Sequence, residues 1–586
     1  MCSILGFINS KDNIEQFNSK LSYRGPDSSG ILSYKNYYFA HNRLAIQDLD
    51  PRAGQPMENS RFIITFNGEI YNHLEIRKEL NFQSFSTSSD TETILWAFIE
   101  FGIEKALSKF IGMFALSLFD KKSEKLYLVR DRVGIKPLYY AFQNGEFIFG
   151  SELKAFPEKF KREKSLKAQI QLTALGYIPN ENTYYKNIYK LPPAHYLTFQ
   201  NGKIEKKRYW NLPTEKLNIS FSEAVDKTEE LVKSAVNYRL ISDLEVGAFL
   251  SGGVDSSLVT AIASQQQKLK TFSIGFENRA YDESPYAEAV AKHFGTEHYN
   301  YIFSAKDVLN LLPNFDDFYD EPFGDASALP TLLLSKFTKS KVTVSLSGDG
   351  GDELFYGYDR YHFVDNYYNK LSKVPLPIRK ALAFALKYSG RDKLQKMSYP
   401  VRNLSKENLY SILSTALKPW ELQNIFSKEA IYEAFGKEKI GYFDLVEFSD
   451  KDFSRVDFHR YLPDDILTKV DRASMRYSLE ARVPLLDHRL VEFAYQIPNE
   501  LKGKKDILKE VLYRYVPKEL IERPKKGFAV PLKEWFRNEL KEELLSKINN
   551  LDYTILNRDG VNTILDGHLN RNRNYEYLLW NLMRLK

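Results

Sequence analysis

The stretch Ser251-Gly252-Gly253-Val254-Asp255-Ser256-Ser257 constrains the fold of this chain more than any other. It follows an apolar run at 246–250, which predicts a buried strand, and it precedes residues 258–263, which predict a helix. Glycines let a backbone approach an anion closely, and the free N–H groups of a first helical turn attract negative charge. The stretch therefore predicts a phosphate-binding loop; the alternative is a Ser/Gly turn that only reverses the chain.

This loop differs from the G-x-x-x-x-G-K-[ST] loop of P-loop NTPases because it has no lysine. Without that lysine the loop has less to hold a γ-phosphate, which suits the binding and release of pyrophosphate. The Asp255 carboxylate is the type of ligand that a magnesium ion bridging phosphates prefers.

Strands and helices alternate around this loop. Residues 270–276, 297–302 and 341–346 predict further strands, and residues 222–241 and 283–294 predict helices. This alternation predicts an α/β domain with a parallel sheet, in which ligands bind beyond the carboxyl ends of the strands. A second glycine-rich stretch, 347–353, follows one of these strands, so its Asp352 is expected to join Asp255 in holding magnesium pyrophosphate. Residues 361–460 add helices to which we assign no chemistry.

The first part of the chain has a different pattern. Strands are predicted at 62–66, 113–119 and 125–129, and helices at 91–101 and 103–110. Short strands with few helices favour an α+β layered domain with antiparallel sheets. The pattern ends near Pro213, so we predict one domain over 2–212 and a second over 214–586.

The single cysteine, Cys2, is a candidate nucleophile. A lone cysteine is usually a small buried hydrophobe. Removal of Met1, however, would give Cys2 a free α-amine, whose pKa of ~7.7–8.0 lets it take the thiol proton near neutrality. Nucleophile and base would then belong to one residue.

The segments that follow Cys2 resemble the class II (N-terminal nucleophile) glutamine amidotransferase family. The segments that carry this resemblance are Cys2 to Gly6, Arg24 to Asp27, Arg43 to Ile46, Asn67 to Asn72 and Ser89 to Glu92. The resemblance implies that Cys2 attacks the side-chain amide of glutamine, with Asn67 and the Gly68 N–H as the oxyanion hole. It further implies a set of glutamine-binding residues: Arg43, Leu44, Ala45, Ile46, Asn67, Gly68, Glu69 and Asp90. Within that set, Arg43 would pair with the α-carboxylate and Asp90 would meet the α-ammonium.

The second part of the chain resembles two related groups. The loop at 251–257 is similar to the PP-loop of ATP pyrophosphatases, and residues 462–475 and 478–487 resemble the glutamine-hydrolysing asparagine synthetase family. The resemblance implies ATP as co-substrate with Mg²⁺ held by Asp255 and Asp352. The implied ATP-binding residues are Leu250, Ser251, Gly252, Gly253, Asp255, Ser256, Ser257, Ile274, Ser347 and Gly348. Lys469 would stabilise charge on the adenylate and the departing pyrophosphate, and Asp349 would assist adenylate formation and ammonia attack.

Taken over nearly the whole chain, the resemblance implies that ATP adenylates the side-chain carboxylate of aspartate. Ammonia released from glutamine at Cys2 would then give asparagine, AMP, pyrophosphate and glutamate. Two departures concern the acceptor: many relatives have a glutamate where this chain has Asp349, and an arginine where it has Asp325. Asparagine synthesis remains the first expectation. The alternative is amidation of another carboxylate, such as a sugar (uronic) acid in polysaccharide biosynthesis. A scaffold protein that kept only the fold is disfavoured, because Cys2 and Asp255 are both present.

Composition adds limits. The chain has 586 residues, of which 43% are hydrophobic and 27% charged, as in soluble globular proteins. A net charge of +6 over this length is weak evidence for nucleic acid or membrane partners. One cysteine excludes an internal disulfide framework and a cysteine-clustered zinc site. With no bilayer-length apolar run and no signal peptide, we expect a cytoplasmic enzyme of small-molecule substrates, for which a homodimer is one possible assembly.

Overall fold

The computed structural model describes residues 2–277, 282–522 and 530–585. Met1, whose removal would free the Cys2 amine, lies outside these residues. The described residues form two six-stranded antiparallel sheets in the first part of the chain and one five-stranded parallel sheet in the second. The predicted combination of an α+β layered domain with an α/β domain is confirmed.

The strands of the antiparallel part are β1 (Ser3–Ile8), β2 (Ser28–Tyr34), β3 (Tyr37–Arg43), β4 (Met57–Glu58), β5 (Phe62–Ile70), β6 (Gly112–Asp120), β7 (Lys125–Arg130), β8 (Tyr139–Gln143), β9 (Glu146–Gly150), β10 (Ile188–Lys190), β11 (His195–Gln200) and β12 (Lys203–Arg208). Its helices are α1 (Ile14–Asn18), α2 (His73–Glu79), α3 (Asp90–Phe101), α4 (Ile103–Lys109) and α5 (Leu166–Leu175).

The strands of the parallel part are β13 (Val246–Phe249), β14 (Lys270–Phe276), β15 (Glu297–Phe303), β16 (Val344–Leu346) and β17 (Glu480–Arg482). Its helices are α6 (Phe221–Arg239), α7 (Val254–Ser264), α8 (Ser284–Phe294), α9 (Ala305–Leu311), α10 (Phe315–Phe318), α11 (Ala328–Lys339), α12 (Gly351–Leu354), α13 (Asp359–Leu371), α14 (Leu376–Lys387), α15 (Asp392–Arg402), α16 (Lys406–Ser414), α17 (Leu422–Ile425), α18 (Lys428–Phe435), α19 (Tyr442–Val446), α20 (Phe453–His459), α21 (Leu467–Met475), α22 (His488–Gln496), α23 (Asn499–Lys502), α24 (Asp506–Leu512), α25 (Leu532–Trp535), α26 (Lys541–Asn549), α27 (Arg558–Leu569) and α28 (Glu576–Arg584).

The two antiparallel sheets pack face to face. Ile4 and Phe39 of the first sheet share one core with Ile63 and Phe119 of the second. Helix α3 covers the outer face of the second sheet, because its Phe98 packs among residues of β5 and β6. The sandwich places β1, which directly follows Cys2, against the sheet that contains β5.

The parallel sheet has the order β15-β14-β13-β16-β17. Strand β13 is hydrogen-bonded to β14 on one side and to β16 on the other, all in parallel. The loops that follow β13 and β16 are therefore neighbours at one edge, as the sequence predicted. Strand β17 was not predicted, because its charged Glu480 and Arg482 are buried and hide the apolar pattern of a strand.

The helical additions are confirmed: residues 361–460 contain helices α13 to α20. In the described residues, no helix is long and apolar enough to cross a bilayer.

A buried ionic network joins the two parts of the chain. The fully buried Arg24 pairs with Glu152 at 2.5 Å and with Asp471 of α21 at 2.9 Å. Asp471 also contacts Arg472, whose guanidinium reaches the carbonyl of Ser151 at 3.3 Å. Since a buried charge without its partner is costly, these contacts hold the antiparallel sheets and the parallel sheet in one arrangement.

Candidate active sites

Cys2 lies directly before β1 and is 8% exposed. Its backbone N–H donates to Asn67 Oδ1 at 3.0 Å, and its carbonyl accepts from Arg24 at 3.2 Å. Burial raises the pKa of the Cys2 thiol, and a hydrogen bond to the backbone of Leu44 opposes this shift. An adjacent base is therefore needed to produce a thiolate at neutral pH.

Asn67 and Gly68 lie within β5 rather than in a turn. Asn67 is fully buried, and its Nδ2 has no hydrogen-bond partner among the described residues. An added Cβ at Gly68 would come within 2.1 Å of the Met113 carbonyl oxygen on β6, so only glycine fits this register. The structure thus places a buried, unused amide donor beside Cys2, which suits a site where negative charge develops.

The predicted segment Arg43 to Ile46 lies at and beyond the end of β3. Backbone carbonyls of the following loop hold the Arg43 guanidinium, including that of Asp50 at 3.0 Å. Leu44 and Ile46 are buried, while the Ala45 N–H donates to Asp27 at 2.8 Å. The charges of Arg43 and Glu69 both act on the Cys2 thiol, so these groups lie near it; we call this group of residues the thiol pocket.

Glu69 and Asp90 are buried carboxyl groups that lie close enough to influence each other. Asp90 Oδ2 accepts from the Ile70 N–H at 2.8 Å, and burial raises the pKa of Asp90 to about 6. Burial, with the nearby carboxylates Glu480 and Asp90, holds the pKa of Glu69 well above its usual range. Both groups would ionise more readily beside a bound cation such as an α-ammonium.

The predicted phosphate loop lies between β13 and α7. The hydroxyls of Ser251 and Ser256 are 3.0 Å apart, and the Gly253 N–H donates to Ser251 Oγ at 3.3 Å. Gly252 has φ +72°, and an added Cβ would come within 2.9 Å of the Ala287 nitrogen of α8. The loop is thus folded tightly between strand and helix, which is the arrangement expected of a phosphate-binding loop. Ser257 is buried on α7.

The second glycine-rich loop packs directly on the first. An added Cβ at Gly348 would come within 2.7 Å of the Ser256 nitrogen, and one at Gly351 within 2.3 Å of Asp255 Oδ1. The Ser347 hydroxyl donates to Asp349 Oδ2. Leu250 and Ile274, expected to border adenine, lie in the apolar cores on either side of β13 and β14.

Asp255 and Asp352 meet at the ammonium group of Lys505, which sequence reasoning missed. Lys505 Nζ is 2.8 Å from Asp352 Oδ1 and also bonds Asp255 Oδ2. The two carboxylates converge on one cation, so their donor set fits the Mg²⁺ that the family implies. Lys505 lies 250 residues beyond Asp255, and the pair Lys504-Lys505 after Gly503 is the only sequence signal.

Lys469 lies in α21 and is not a surface lysine. Its ammonium pairs with Asp325 Oδ2 at 2.8 Å and contacts Ser327 Oγ at 2.9 Å. Burial opposes its charge, but Asp325 and Asp465 raise the pKa of Lys469 overall. Lys469 is thus already engaged by Asp325, and its charge also acts on Asp349 of the second loop.

Arg482 connects the thiol pocket with the second loop. Its Nη2 lies 3.7 Å from Glu69 Oε1, and its carbonyl accepts from the Ser347 N–H at 2.8 Å. Arg482 is fully buried and held by Glu480 at 2.6 Å. One residue of β17 therefore touches a residue of each predicted site.

Models of known families match both parts of the chain. The model of the asparagine synthase family matches residues 227–586, and that of a glutamine amidotransferase domain matches residues 1–210. "Asparagine synthetase [glutamine-hydrolyzing] 1" of Bacillus subtilis (strain 168) is 31% identical over 612 residues, covering 100% of this chain and 95% of that protein. "Putative asparagine synthetase [glutamine-hydrolyzing] 2" of Methanocaldococcus jannaschii is 37% identical over 522 residues, covering 81% of this chain and 98% of that protein.

These matches define a class of enzyme in which a glutamine amidotransferase domain is joined to an ATP-using ligase domain. The chain belongs to the asparagine synthase family. The family resemblance identified from the sequence is confirmed.

Proposed function

We propose that this enzyme is a glutamine-dependent asparagine synthetase: it adenylates the side-chain carboxylate of aspartate with ATP and transfers to it ammonia released from glutamine. One observation carries the proposal. Arg482 contacts Glu69 in the thiol pocket and Ser347 in the second glycine-rich loop, so a single residue joins the two chemistries. A cytoplasmic enzyme is consistent with these substrates.

In the thiol pocket, Cys2 acts as the nucleophile on the glutamine amide. Its α-amine, once freed, takes the thiol proton and later delivers it to the leaving ammonia. The Asn67 amide, whose Nδ2 is unpaired in the described structure, and the Gly68 N–H stabilise the oxyanion. Water then releases glutamate. Arg43 binds the α-carboxylate of glutamine and Asp90 its α-ammonium.

At the parallel sheet, the loop at 251–257 holds the phosphates of ATP, and Asp255 and Asp352 are the residues that would hold Mg²⁺. A bound Mg²⁺ would supply charge stabilisation for the pyrophosphate. Lys505 adds a second cation at the same carboxylates. The acceptor carboxylate attacks the α-phosphorus, pyrophosphate leaves, and ammonia displaces AMP. Asp349, whose pKa is raised by burial, is placed to accept a proton from the attacking ammonia.

The ionisation of Asp90 predicts how glutamine binding depends on pH. Because the pKa of Asp90 is about 6 in the free enzyme, its carboxylate is lost as pH falls below that value. In the Cys2→Ala protein, which binds glutamine without turnover, the Kd for glutamine is expected to rise ~10-fold per pH unit below this point. Isothermal titration from pH 8 to 5 measures it. Cys2→Ala/Asp90→Asn is the matched control and should bind weakly with no such slope; a flat profile in Cys2→Ala would remove Asp90 from this role.

The identity of the carboxylate that is amidated is tested by comparing aspartate with other carboxylates as substrates. A sugar acid is the second candidate, because Lys469 is already paired with Asp325 and three carboxyl groups, Asp325, Asp349 and Asp465, surround it. The carboxyl oxygens of such a site can accept hydrogen bonds from sugar hydroxyls as readily as from an α-ammonium. With ATP, Mg²⁺ and glutamine, mass spectrometry should find asparagine from aspartate and no product from a panel of uronic acids. Turnover of any uronic acid without asparagine formation would transfer the function to the alternative.

Asp325→Ala should raise the KM for aspartate. The same change removes the partner of Lys469, which costs ~3–5 kcal/mol for a buried pair, so unfolding must be measured in parallel. Asp325→Ala/Lys469→Met removes both charges and separates the two effects. If the double variant regains stability but has a higher KM for aspartate than Lys469→Met alone, Asp325 contributes to acceptor binding.

A further inference from the structure

A helical hairpin in the second part of the chain has a larger net positive charge than the whole protein. It consists of residues 370–402, which contain α14, α15 and the turn between them. This stretch has nine lysines and arginines and one acid, Asp392, for a net charge of +8. The whole chain has +6, so the other 553 residues together carry −2. The net positive charge of the chain is therefore concentrated in one hairpin, which the total of +6 does not reveal.

The outer face of α14 is apolar. Helix α14 packs chiefly on α15, through a stripe that contains the buried Ala383 and the half-buried Arg379 and Leu386. On the opposite side of α14, apolar residues recur at helical spacing. All of their side chains are exposed. These residues are Pro377, Ile378, Ala381, Phe384, Ala385 and Tyr388.

The exposure of this face is high for such side chains. Phe384 is 68% exposed, Tyr388 67% and Ile378 58%. Lys380 and Lys387 are seven residues apart and border the face beside Phe384. Apolar and aromatic residues bordered by lysines are the pattern of helices that lie in a membrane interface, with the lysine stems reaching toward the lipid phosphates.

Few of these cations are neutralised by the protein itself. Lys396 pairs with Asp392 at 2.8 Å; the other eight cations of the hairpin form no ion pair with any residue that the structure describes. A second copy of this chain would bring an equal positive charge to the same face, which opposes a symmetric contact. An anionic surface complements both the charge and the apolar side chains.

A basic cavity lies at the turn of the same hairpin. It has a volume of about 830 Å³. Six cationic side chains and two acidic ones line it: Arg391, Lys393, Lys533, Arg537, Arg571 and Arg573, with Asp392 and Glu534. Of the acids, Asp392 is already bound by Lys396 and Arg573. This composition fits an anionic headgroup.

We propose that the α14–α15 hairpin docks this enzyme on an anionic phospholipid surface, with Phe384, Tyr388 and Ile378 entering the interface and the basic cavity receiving a lipid phosphate. The enzyme would then deliver its amidated product close to a membrane. The residues of both candidate active sites lie in other elements than α14 and α15. The proposal is independent of which carboxylate the enzyme amidates.

Co-sedimentation of the full chain with vesicles tests the docking. The protein should sediment with equal parts of phosphatidylglycerol and phosphatidylcholine, not with phosphatidylcholine alone, and less as salt is raised. Lys380→Glu/Lys387→Glu and Phe384→Ser/Tyr388→Ser should each weaken binding at least ~10-fold. Tyr432→Ser, at a side chain 59% exposed on α18, is the matched control and should change nothing. Unchanged glutamine hydrolysis verifies that each variant is folded.

Insertion is separated from adsorption by a fluorescent label. Because Cys2 is the single cysteine, Phe384→Cys in a Cys2→Ala background gives one labelling site, and Tyr432→Cys gives the control site. The label at 384 alone should shift to the blue on anionic vesicles. No sedimentation, equal sedimentation with neutral vesicles, or no shift would overturn the proposal. So would a dimer that Phe384→Ser/Tyr388→Ser converts to monomer, or binding of inorganic phosphate in the cavity without vesicle binding.

Discussion

The Cys2→Ala variant is expected to lose glutamine-dependent amidation by at least ~10⁴-fold, since loss of a covalent nucleophile removes the whole pathway through the thioester. Amidation with added ammonium salt should persist at the wild-type rate. The reason is spatial: Cys2 contacts Asn67 and Arg24, whereas the phosphate loop lies beyond β13 of another sheet. Steady-state rates with glutamine and with ammonium chloride measure both effects.

Asn67→Ala is the matched variant for this test. It keeps the thiol but removes the unpaired amide donor, so glutamine hydrolysis should fall by only ~10²–10³-fold. Ammonium-dependent amidation should again be unaffected. Glutamine hydrolysis that survives in Cys2→Ala would disprove the nucleophile, and equal losses in both variants would indicate a general disruption of β1 and β5.

Asp255→Asn is expected to abolish adenylate formation while glutamine hydrolysis continues. The substitution removes one of the two carboxylates that converge on Lys505, and it leaves that lysine with Asp352 alone. Loss of a metal carboxylate costs several kcal/mol of transition-state stabilisation, which is at least ~10²-fold in rate. ATP–pyrophosphate exchange in the presence of the acceptor measures the step directly.

The control for this variant is Asp226→Asn on α6. Asp226 is also paired with a cation, Arg514, but its side chain is 61% exposed, so its removal should leave exchange unchanged. Wild-type products should be AMP and pyrophosphate. Formation of ADP and phosphate by the wild type, or normal exchange by Asp255→Asn, would rule out the role given to this loop.

Local patterns predicted much of this protein because they depend on neighbours in sequence. The strand, loop and helix around Ser251 follow from an apolar run, two glycines and a helix-forming segment. The antiparallel part and the parallel sheet follow from strand length and spacing. Strand β17 was missed because Glu480 and Arg482 are charged yet buried, and only their pairing beside β16 makes them a strand.

Sequence patterns were sufficient to identify the family and both classes of fold and to predict the residues of a phosphate loop, since each depends on short segments with their own chemistry. The three-dimensional fold was needed to show that Lys505 meets Asp255 and Asp352, that Asp325 pairs with Lys469, and that Arg482 contacts a residue of each predicted site. It also decided that the charge of the α14–α15 hairpin borders an exposed apolar face. The physical reason is that these contacts join residues far apart in the chain, and the parallel order of the strands, rather than any local pattern, brings them together.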